Sequence, residues 1–257
     1  MATIGDNFVI KGNKQMNFTL TADFHTHTLY SDGVGTITQN VEKAVELGLK
    51  TIGITDHGFF HVSHGIKHKY VAKMRAEIEE LRQKYPDIEI LLGVEANLIN
   101  MAGDLDMKEE DFALFDYCIF GIHKLACSCK KPSSIWFTIC NLLVKNSKRR
   151  RQKITDSYIK AINKYPVKVI VHPNYCQSVD VSRLALAAKE KGVLIELNGK
   201  RTTFSKEDVE GLISSGVGLI IGSDAHSPDR IAECSEPKRF IEENDIPLSQ
   251  IVNIKID

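Results

Sequence analysis

Residues 22–33 read Ala22-Asp-Phe-His25-Thr-His27-Thr-Leu-Tyr-Ser-Asp32-Gly33, at the end of an alternating apolar run that begins at Phe18. In an extended strand, side-chain direction repeats at every second residue. The pattern therefore predicts that both imidazoles face one side of the strand, as they would if they bound one metal ion. The pair alone is weak support, because two histidines can fall at this spacing on any half-exposed strand.

Five later apolar runs also end on side chains that can bind metal. The side chains at these positions are Asp56 and His57, Glu95, His123, His172, and Asp224 with His226. Parallel strands that share one C-terminal rim would bring all of these groups into a single bowl. The sequence therefore predicts one joint metal site at the carboxyl ends of a parallel sheet.

Apolar residues at helical spacing lie between these runs, and a glycine follows each stripe. The stripes span residues 37–45 before Gly48, 181–188 before Gly192, and 209–213 before Gly216, the last with Ser205 and Asp208 as a capping pair. Glycine directly after such a stripe is typical of a helix C-terminus. A longer stripe over residues 70–81 predicts a helix that ends near Pro86. The repeating unit is strand, helix, glycine and strand.

A further apolar run over residues 193–198 ends on Asn198 and brings the number of candidate strands to seven. Each run is nearly continuous in apolar residues, as in parallel sheets that helices cover. We predict an α/β fold in which a seven-stranded (β/α)7 barrel, similar to a TIM barrel, forms one domain over residues 1–257. The interval 132–166 departs from the unit, because it predicts two helices before the fifth strand.

The charge balance favours a small-molecule substrate. Lysine plus arginine equals aspartate plus glutamate, at 33 each, so no net charge draws the protein to nucleic acid or anionic lipid. With 43% hydrophobic residues among 257, the chain can bury a large core. The basic run at residues 148–151 could contact a nucleic-acid backbone or form a solvated helix face.

The N-terminal residues show no basic segment followed by a long apolar run, so no secretory signal is expected. The apolar stretch at residues 135–144 is too short to span a bilayer. We therefore expect a cytoplasmic protein that does not bind membranes. Its six cysteines are expected to be reduced thiols, although Cys127 and Cys129 could also bind a soft metal or form a redox pair.

Six motifs of the chain resemble, in order, those of the polymerase and histidinol phosphatase (PHP) domain family. They are His25-x-His27 with Ser31-Asp32-Gly33, Thr55-Asp56-His57, Gly93-Val-Glu95, Gly121-Ile-His123, Val171-His172-Pro173, and Gly222-Ser-Asp224-Ala-His226. The match covers nearly the whole chain. It implies a distorted seven-stranded barrel, a trinuclear metal centre and phosphoester hydrolysis.

The resemblance also implies how nine side chains divide among three divalent metal ions. His25, His27, Glu95 and Asp224 would hold the first, Glu95 would bridge to a second held by His123 and His172, and His57, His226 and Asp32 would hold the third. A close branch of the family has a histidine near the position of Asp32. Imidazoles and carboxylates without thiolate suit zinc, manganese or iron. In this scheme Glu95, Asp224 and His226 are the predicted catalytic residues.

Phosphoryl transfer explains the chemistry of such a site. Two metal ions that share a water lower its pKa and direct the resulting bridging hydroxide at phosphorus, while a third neutralises phosphate oxygens. Lys124, Lys200 and Arg201 directly follow predicted strand ends, so we predict that they bind the substrate, although solvated loop cations are the alternative. The expected substrate is a small phosphorylated metabolite, with histidinol phosphate among the candidates.

Neighbouring side chains have predicted supporting roles. Asp23 and Asp56 precede ligand histidines and should point away from the metal, where they can orient the ligands through hydrogen bonds. His61, His64 and His68 follow His57 in one loop, which is interpreted as a lid, although it could extend the metal site or contact substrate.

Three other functions remain open at this stage. A phosphodiesterase or 3′–5′ exonuclease of the PHP type is one, but the balanced charge and the absence of polymerase modules favour the monoester. A non-catalytic PHP module is another, but it would be expected to have lost ligands. A carbon-centred barrel hydrolase would normally place a bridging lysine at a strand end, and no predicted strand offers one.

Overall fold

The computed structural model describes residues 17–124, 126, 132–143 and 147–256. Its strands, in chain order, are β1 (Phe18–Leu20), β2 (Ala22–Thr26), β3 (Thr51–Ile54), β4 (Glu89–Asn97), β5 (Tyr117–Gly121), β6 (Val169–Ile170), β7 (Leu194–Asn198), β8 (Leu219–Gly222) and β9 (Ile254–Ile256). Strands β2 to β8 form one sheet in sequence order, and every neighbouring pair in it is parallel. This confirms the predicted seven-stranded α/β barrel.

The sheet closes on itself where β2 meets β8. At the carboxyl ends, His27 N–H donates to the carbonyl of Ala225 at 2.8 Å. At the opposite end, the side chain of Asn253 donates to the carbonyls of Ala22 and Ile221, at 2.8 Å each. The two hydrogen bonds of the Asn253 side chain thus connect β2 and β8 where backbone pairing is missing, and the barrel is nearly closed.

The first apolar run divides into two strands instead of forming one. β1 leaves the barrel and pairs antiparallel with β9, and a register shift of one residue follows between Asp23 and Thr26 in β2. Such a bulge re-aims side chains. As a result Phe24 and His25, which strict alternation would place on opposite faces, both border the same small cavity inside the barrel.

The helices surround the sheet. They are α1 (Ile37–Glu46), α2 (His68–Lys84), α3 (Pro132–Leu143), α4 (Lys148–Lys164), α5 (Val181–Lys191), α6 (Lys206–Ser215) and α7 (Ser235–Glu243), with short 3-10 helices at Glu109–Leu114, Pro228–Arg230 and Leu248–Gln250. Two helices, α3 and α4, occupy the interval 132–166 as predicted. α7 and β9 are additions to the predicted fold.

The predicted helix ends agree with the structure. Gly48, Gly192 and Gly216 have φ angles of 72°, 65° and 62°, in the left-handed region that glycine adopts at low cost. The capping pair forms at the start of α6, where Asp208 N–H donates to Ser205 Oγ at 3.2 Å and Ser205 N–H donates to Asp208 Oδ2 at 2.9 Å.

Apolar packing separates the barrel interior from the outer layer. A small interior cluster comprises Ile119, Val169, Val171 and Ile220, with Phe24, Tyr117 and Leu194 packed against it. The larger cluster includes the buried faces of the helices, such as Met74 and Ile78 of α2. The interior cluster lies next to the carboxyl ends of the strands, so closely packed apolar side chains support the candidate site from inside the barrel.

The basic run at residues 148–151 forms the first turn of α4. Arg150 donates to Gln177 and Asn141, and Arg151 donates to the carbonyl of Val179. These two arginines therefore fasten α4 to neighbouring segments. Across the described ranges, none of the helices combines the length and the apolar character that crossing a bilayer requires.

Candidate metal centre

All nine predicted metal-ligating residues lie near the carboxyl ends of the barrel strands or in the loops that follow. Their ligand atoms form four groups in which all atoms lie within 4.8 Å of one another: His27, Asp32, His57 and His226; His25, His27 and Asp224; His25, Glu95 and His172; and His57, Glu95 and His123. The strand ends thus bring the predicted residues into one continuous cluster.

Glu95 lies at the centre of this cluster and is fully buried. Five histidine nitrogens lie near its two oxygens: His172 Nε2 at 2.8 Å, His57 Nδ1 at 2.9 Å, His123 Nε2 at 3.1 Å, His25 Nε2 at 3.4 Å and His27 Nε2 at 3.5 Å. Burial raises the pKa of the Glu95 carboxyl, but the charges of the surrounding histidines outweigh burial and hold this pKa well below its usual range. Glu95 is therefore an ionised carboxylate, and its two oxygens face several of the candidate histidine ligands at once.

Asp32 joins the cluster from the loop after β2. Its Oδ2 lies 3.3 Å from His57 Nε2 and 3.2 Å from His226 Nε2. Burial raises its pKa, but hydrogen bonds from these two histidines lower the pKa overall. Asp32 thus lies beside the two histidines with which the resemblance groups it. His57 also approaches Glu95, so it lies between this group and the centre of the cluster.

Two candidate ligands hold left-handed backbone conformations. His172 has a φ of 32° and Asp224 a φ of 52°. Such conformations cost on the order of 1–3 kcal/mol in residues with a Cβ and persist where the surrounding structure imposes them, often at functional sites. Both side chains reach the cluster from the residues that follow β6 and β8.

Glu196 is a supporting residue that the sequence reasoning missed. Its Oε1 lies 2.6 Å from His25 Nδ1, and its Oε2 accepts from the backbone N–H of His172 at 2.8 Å and from Asn198 Nδ2 at 3.0 Å. The contact at Nδ1 leaves His25 Nε2 directed at Glu95. The sequence feature that could have indicated this role is a glutamate inside the apolar run 193–198.

A second missed chain of contacts orients His123. Its Nδ1 lies 2.6 Å from Asn97 Oδ1, and Asn97 Nδ2 in turn donates to Asp106. Ring nitrogens of metal-binding histidines usually pair with a carboxylate or amide on the side away from the metal. Asp56, for which an orienting role is predicted, accepts from Thr28 N–H and Thr28 Oγ1, both at 2.7 Å, in the residue directly after His27. Asp23 accepts from the N–H groups of His25, Ser223 and Ala232.

Two glycines permit the close packing of these side chains. A Cβ at Gly222 would collide with Glu196 Oε1 and would lie 3.0 Å from His25 Cβ, while a Cβ at Gly121 would lie 2.7 Å from His172 Cε1. Each glycine stands two residues before a candidate ligand. These two motifs therefore need glycine because side chains of neighbouring strand ends pass directly over the backbone there.

The cluster leaves buried polar atoms without aligned hydrogen-bond partners among the described residues. They are His25 Nε2, His27 Nε2, His57 Nδ1, Glu95 Oε2 and His172 Nδ1. Unpaired buried polar atoms are rare in native proteins because each loses its hydration. Imidazole and carboxylate donors suit zinc, manganese or iron. The residues therefore fit divalent metal ions.

We expect Glu196→Gln to weaken metal binding by about 10–100-fold, the usual effect of removing such an orienting partner. Both Glu196 oxygens accept hydrogen bonds. In the glutamine variant, an NH2 group would replace one of these acceptors and would face another hydrogen-bond donor. Competition with a chelator for zinc would measure the change without reference to activity. The exposed Glu210 on α6 provides a matched control, Glu210→Gln, and equal affinities in the two variants would reduce Glu196 to a packing role.

A cavity of 350 Å³ opens above the cluster. The three predicted substrate-binding residues, Lys124, Lys200 and Arg201, all line it, as do His61 and His64. Lys200 Nζ lies 3.0 Å from Asp224 Oδ1 and 2.9 Å from His226 Nδ1. The interpretation of the histidine loop as one unit does not hold, because His68 begins α2 and stacks on Phe59 at 3.9 Å.

His61 stacks on the candidate ligand His57 at 4.7 Å between ring centroids, with the planes 10° apart. Burial and the neighbouring histidines lower the pKa of His61 to about 4. This imidazole is therefore neutral near pH 7 and covers one side of the cluster. Cys127 and Cys129 lie outside the described residues. Cys118 is buried, and burial raises its pKa.

The fold and this donor set define an α/β barrel whose strand ends carry a set of side chains suited to divalent metal ions. Residues 23–198 match the sequence model of the PHP domain, and the chain belongs to this family. A probable phosphatase of Caldanaerobacter subterraneus subsp. tengcongensis is 30% identical over 253 residues, covering 95% of this chain and 91% of the relative. A probable phosphatase of Clostridium acetobutylicum is 26% identical over 241 residues, covering 90% and 89%.

Solved structures show the same fold. The histidinol phosphate phosphatase of Lactococcus lactis, solved with zinc, L-histidinol and phosphate, has a TM-score of 0.65 at 17% identity, covering 89% of this chain and 95% of that one. The putative histidinol phosphatase of Listeria monocytogenes has a TM-score of 0.61 at 15% identity, covering 82% of this chain and 97% of that one. The family and the sequence relatives together support a metal-dependent phosphatase of the PHP type.

Proposed function

We propose that the chain hydrolyses small phosphate monoesters with three divalent metal ions. The observation that carries the proposal is the convergence of His25, His27, Asp32, His57, Glu95, His123, His172, Asp224 and His226 on one buried cluster beneath a cavity. Every motif of the predicted series retains its ligand. A non-catalytic module is therefore not favoured.

The proposed division of the metal ligands follows the family scheme. His25, His27, Glu95 and Asp224 would hold one ion, Glu95 with His123 and His172 a second, and Asp32, His57 and His226 a third. When bound, the ions would activate the attacking water and offset the negative charge of the phosphoryl oxygens.

Contacts among the chain's own residues support this proposed arrangement. Glu196 and Asn97 hold the rings of His25 and His123 from behind, and the left-handed backbone at Asp224 directs its carboxylate inward. Lys200 reaches the same carboxylate from the cavity wall. We propose that this ammonium group contacts the phosphoryl group of the substrate, because it lines the cavity and lies within 3.0 Å of the candidate ligands Asp224 and His226.

Monoesters suit this site better than diesters. A monoester dianion can present three phosphoryl oxygens to a cationic site, whereas a diester carries a single negative charge and blocks one oxygen with a second substituent. The balanced charge of the chain gives a polyanion no long-range attraction. Two of the four residues in the basic run are already committed to structural contacts.

Hydrolysis of para-nitrophenyl phosphate tests the proposal directly. With added manganese or zinc we expect turnover, and a kcat/KM for the bis-ester lower by roughly 10²-fold. Metal-free protein is the control. A comparable kcat/KM on the bis-ester, or release of mononucleotides from single-stranded DNA, would replace this proposal with a phosphodiesterase of the PHP type.

A further inference from the structure

The cationic side chains that line the cavity are of two kinds. Lys200 is paired with Asp224 and His226 at the cluster. The side chains of Lys124 and Arg201 line the same cavity and are exposed, and no described residue gives either of them an acidic partner. Among the described residues, Lys124 and Arg201 therefore differ from Lys200 in having no carboxylate partner.

Arg201 is held in place without its charge being neutralised. Its guanidinium carbon lies 5.6 Å from the ring centroid of Tyr175, a distance at which the aromatic face attracts a cation. The Oδ1 of Asn198 accepts from the backbone N–H groups of both Lys200 and Arg201, at 3.0 Å and 3.3 Å. The turn after β7 thus presents Lys200 to the cluster and Arg201 to Tyr175.

Lys124 approaches from another strand end. It follows His123 in the loop after β5, and Cys176, the residue after Tyr175, also lines the cavity and feels the charge of Lys124. In the segment after β6, Cys176 therefore lies near Lys124 and the adjacent Tyr175 lies near Arg201. A group that extends from the cluster along Tyr175 and Cys176 would therefore lie near both cations.

The acidic side chains of the cavity have a different distribution. Those that line it in the described structure are Asp32, Glu95 and Asp224, and all three are candidate metal ligands. The described wall therefore offers no free carboxylate to a cationic leaving group such as an amine. It offers two free cations to an anionic one.

Resting on the proposed phosphatase function, we propose that Lys124 and Arg201, beside Tyr175, form a subsite for a second anionic group on the leaving alcohol. The preferred substrates are then phosphate monoesters of alcohols that carry a carboxylate or a second phosphate. Esters of amino alcohols, L-histidinol phosphate included, are poor substrates by the same argument. Each lost charged hydrogen bond should lower kcat/KM by about tenfold.

A matched series of small esters tests the subsite in the metal-loaded enzyme. Phosphoglycolate and phosphoethanolamine share a two-carbon alcohol but carry opposite second charges, and glycerol 2-phosphate is neutral there. Ethylene glycol bisphosphate separates a second phosphate from a carboxylate. We expect kcat/KM to fall from the anionic esters through the neutral ester to the cationic ester, with L-histidinol phosphate among the slow ones.

Substitution assigns the preference to the two cations. Arg201→Gln and Lys124→Gln should each lower kcat/KM for phosphoglycolate about tenfold more than for glycerol 2-phosphate. Arg149→Gln, an exposed arginine on α4, should change neither value. Equal losses on both esters would overturn the subsite and assign these cations to the cleaved phosphate.

The two proposals fail in different ways. Turnover of glycerol 2-phosphate without preference for a second anion, or with preference for phosphoethanolamine, would overturn the subsite alone. Failure of every ester with manganese, zinc and iron would overturn the phosphatase function and the subsite with it.

Discussion

Replacing Glu95 with glutamine is expected to lower kcat/KM for a phosphate monoester by roughly 10³-fold. The Glu95 oxygens face five histidine nitrogens at 2.8–3.5 Å. An amide removes the negative charge and replaces one acceptor with a donor directed at imidazoles. Steady-state kinetics with added metal would measure the effect, together with metal content by elemental analysis.

The metal analysis separates a local effect from collapse of the site. The group formed by Asp32, His57 and His226 keeps its carboxylate in Glu95→Gln, so we expect it to retain more metal than the groups that contain Glu95. The charge-matched control, Glu210→Gln on α6, should keep full activity and metal content. Equal loss of all ions in Glu95→Gln would contradict a bridging role and indicate a site that no longer forms.

The strand ends could be predicted from sequence because two local regularities coincide there. The two-residue spacing predicts that His25 and His27 point to one side of the chain, and the order of parallel strands predicts that Glu95, His123 and His172 share one rim. These are properties of neighbouring residues and of chain order. Both can therefore be used for prediction without knowledge of any interatomic distance.

The orienting contacts could not be predicted because each joins residues that are remote in sequence. Glu196 of β7 meets His25 of β2 across the barrel, and no periodicity links the two positions. The bulge in β2 is similarly hidden, because the chain around Phe24 has an ordinary alternating pattern. Only closure of the barrel shows that Phe24 and His25 share the interior.

The different surroundings of two predicted substrate-binding residues could not be predicted from sequence either. Lys200 and Arg201 are adjacent cations after one strand, so the sequence treats them alike. The turn held by Asn198 sends one side chain to Asp224 and the other to Tyr175. Their different surroundings, and hence the roles proposed for them, depend on that turn.

Addition of divalent metal to the metal-free protein is expected to raise its Tm by roughly 8–16 °C. An ion present at 1,000 times its Kd stabilises the folded state by about 4 kcal/mol, and each kcal/mol shifts the Tm of a protein of this size by roughly 2–4 °C. The physical source is the set of buried atoms, including His27 Nε2 and Glu95 Oε2, that lack aligned partners in the described structure. Thermal unfolding with zinc, manganese and iron in parallel would measure the shift.

The variants show whether the shift comes from this cluster. Glu95→Gln should lose most of the increase in Tm, because Glu95 belongs to two of the four ligand groups. Glu210→Gln should keep all of it, since Glu210 lies exposed on α6. An increase of equal size in both variants would place the stabilising ion elsewhere. An unchanged Tm with all three ions would mean that the histidines and carboxylates stabilise one another through their own charges, without metal.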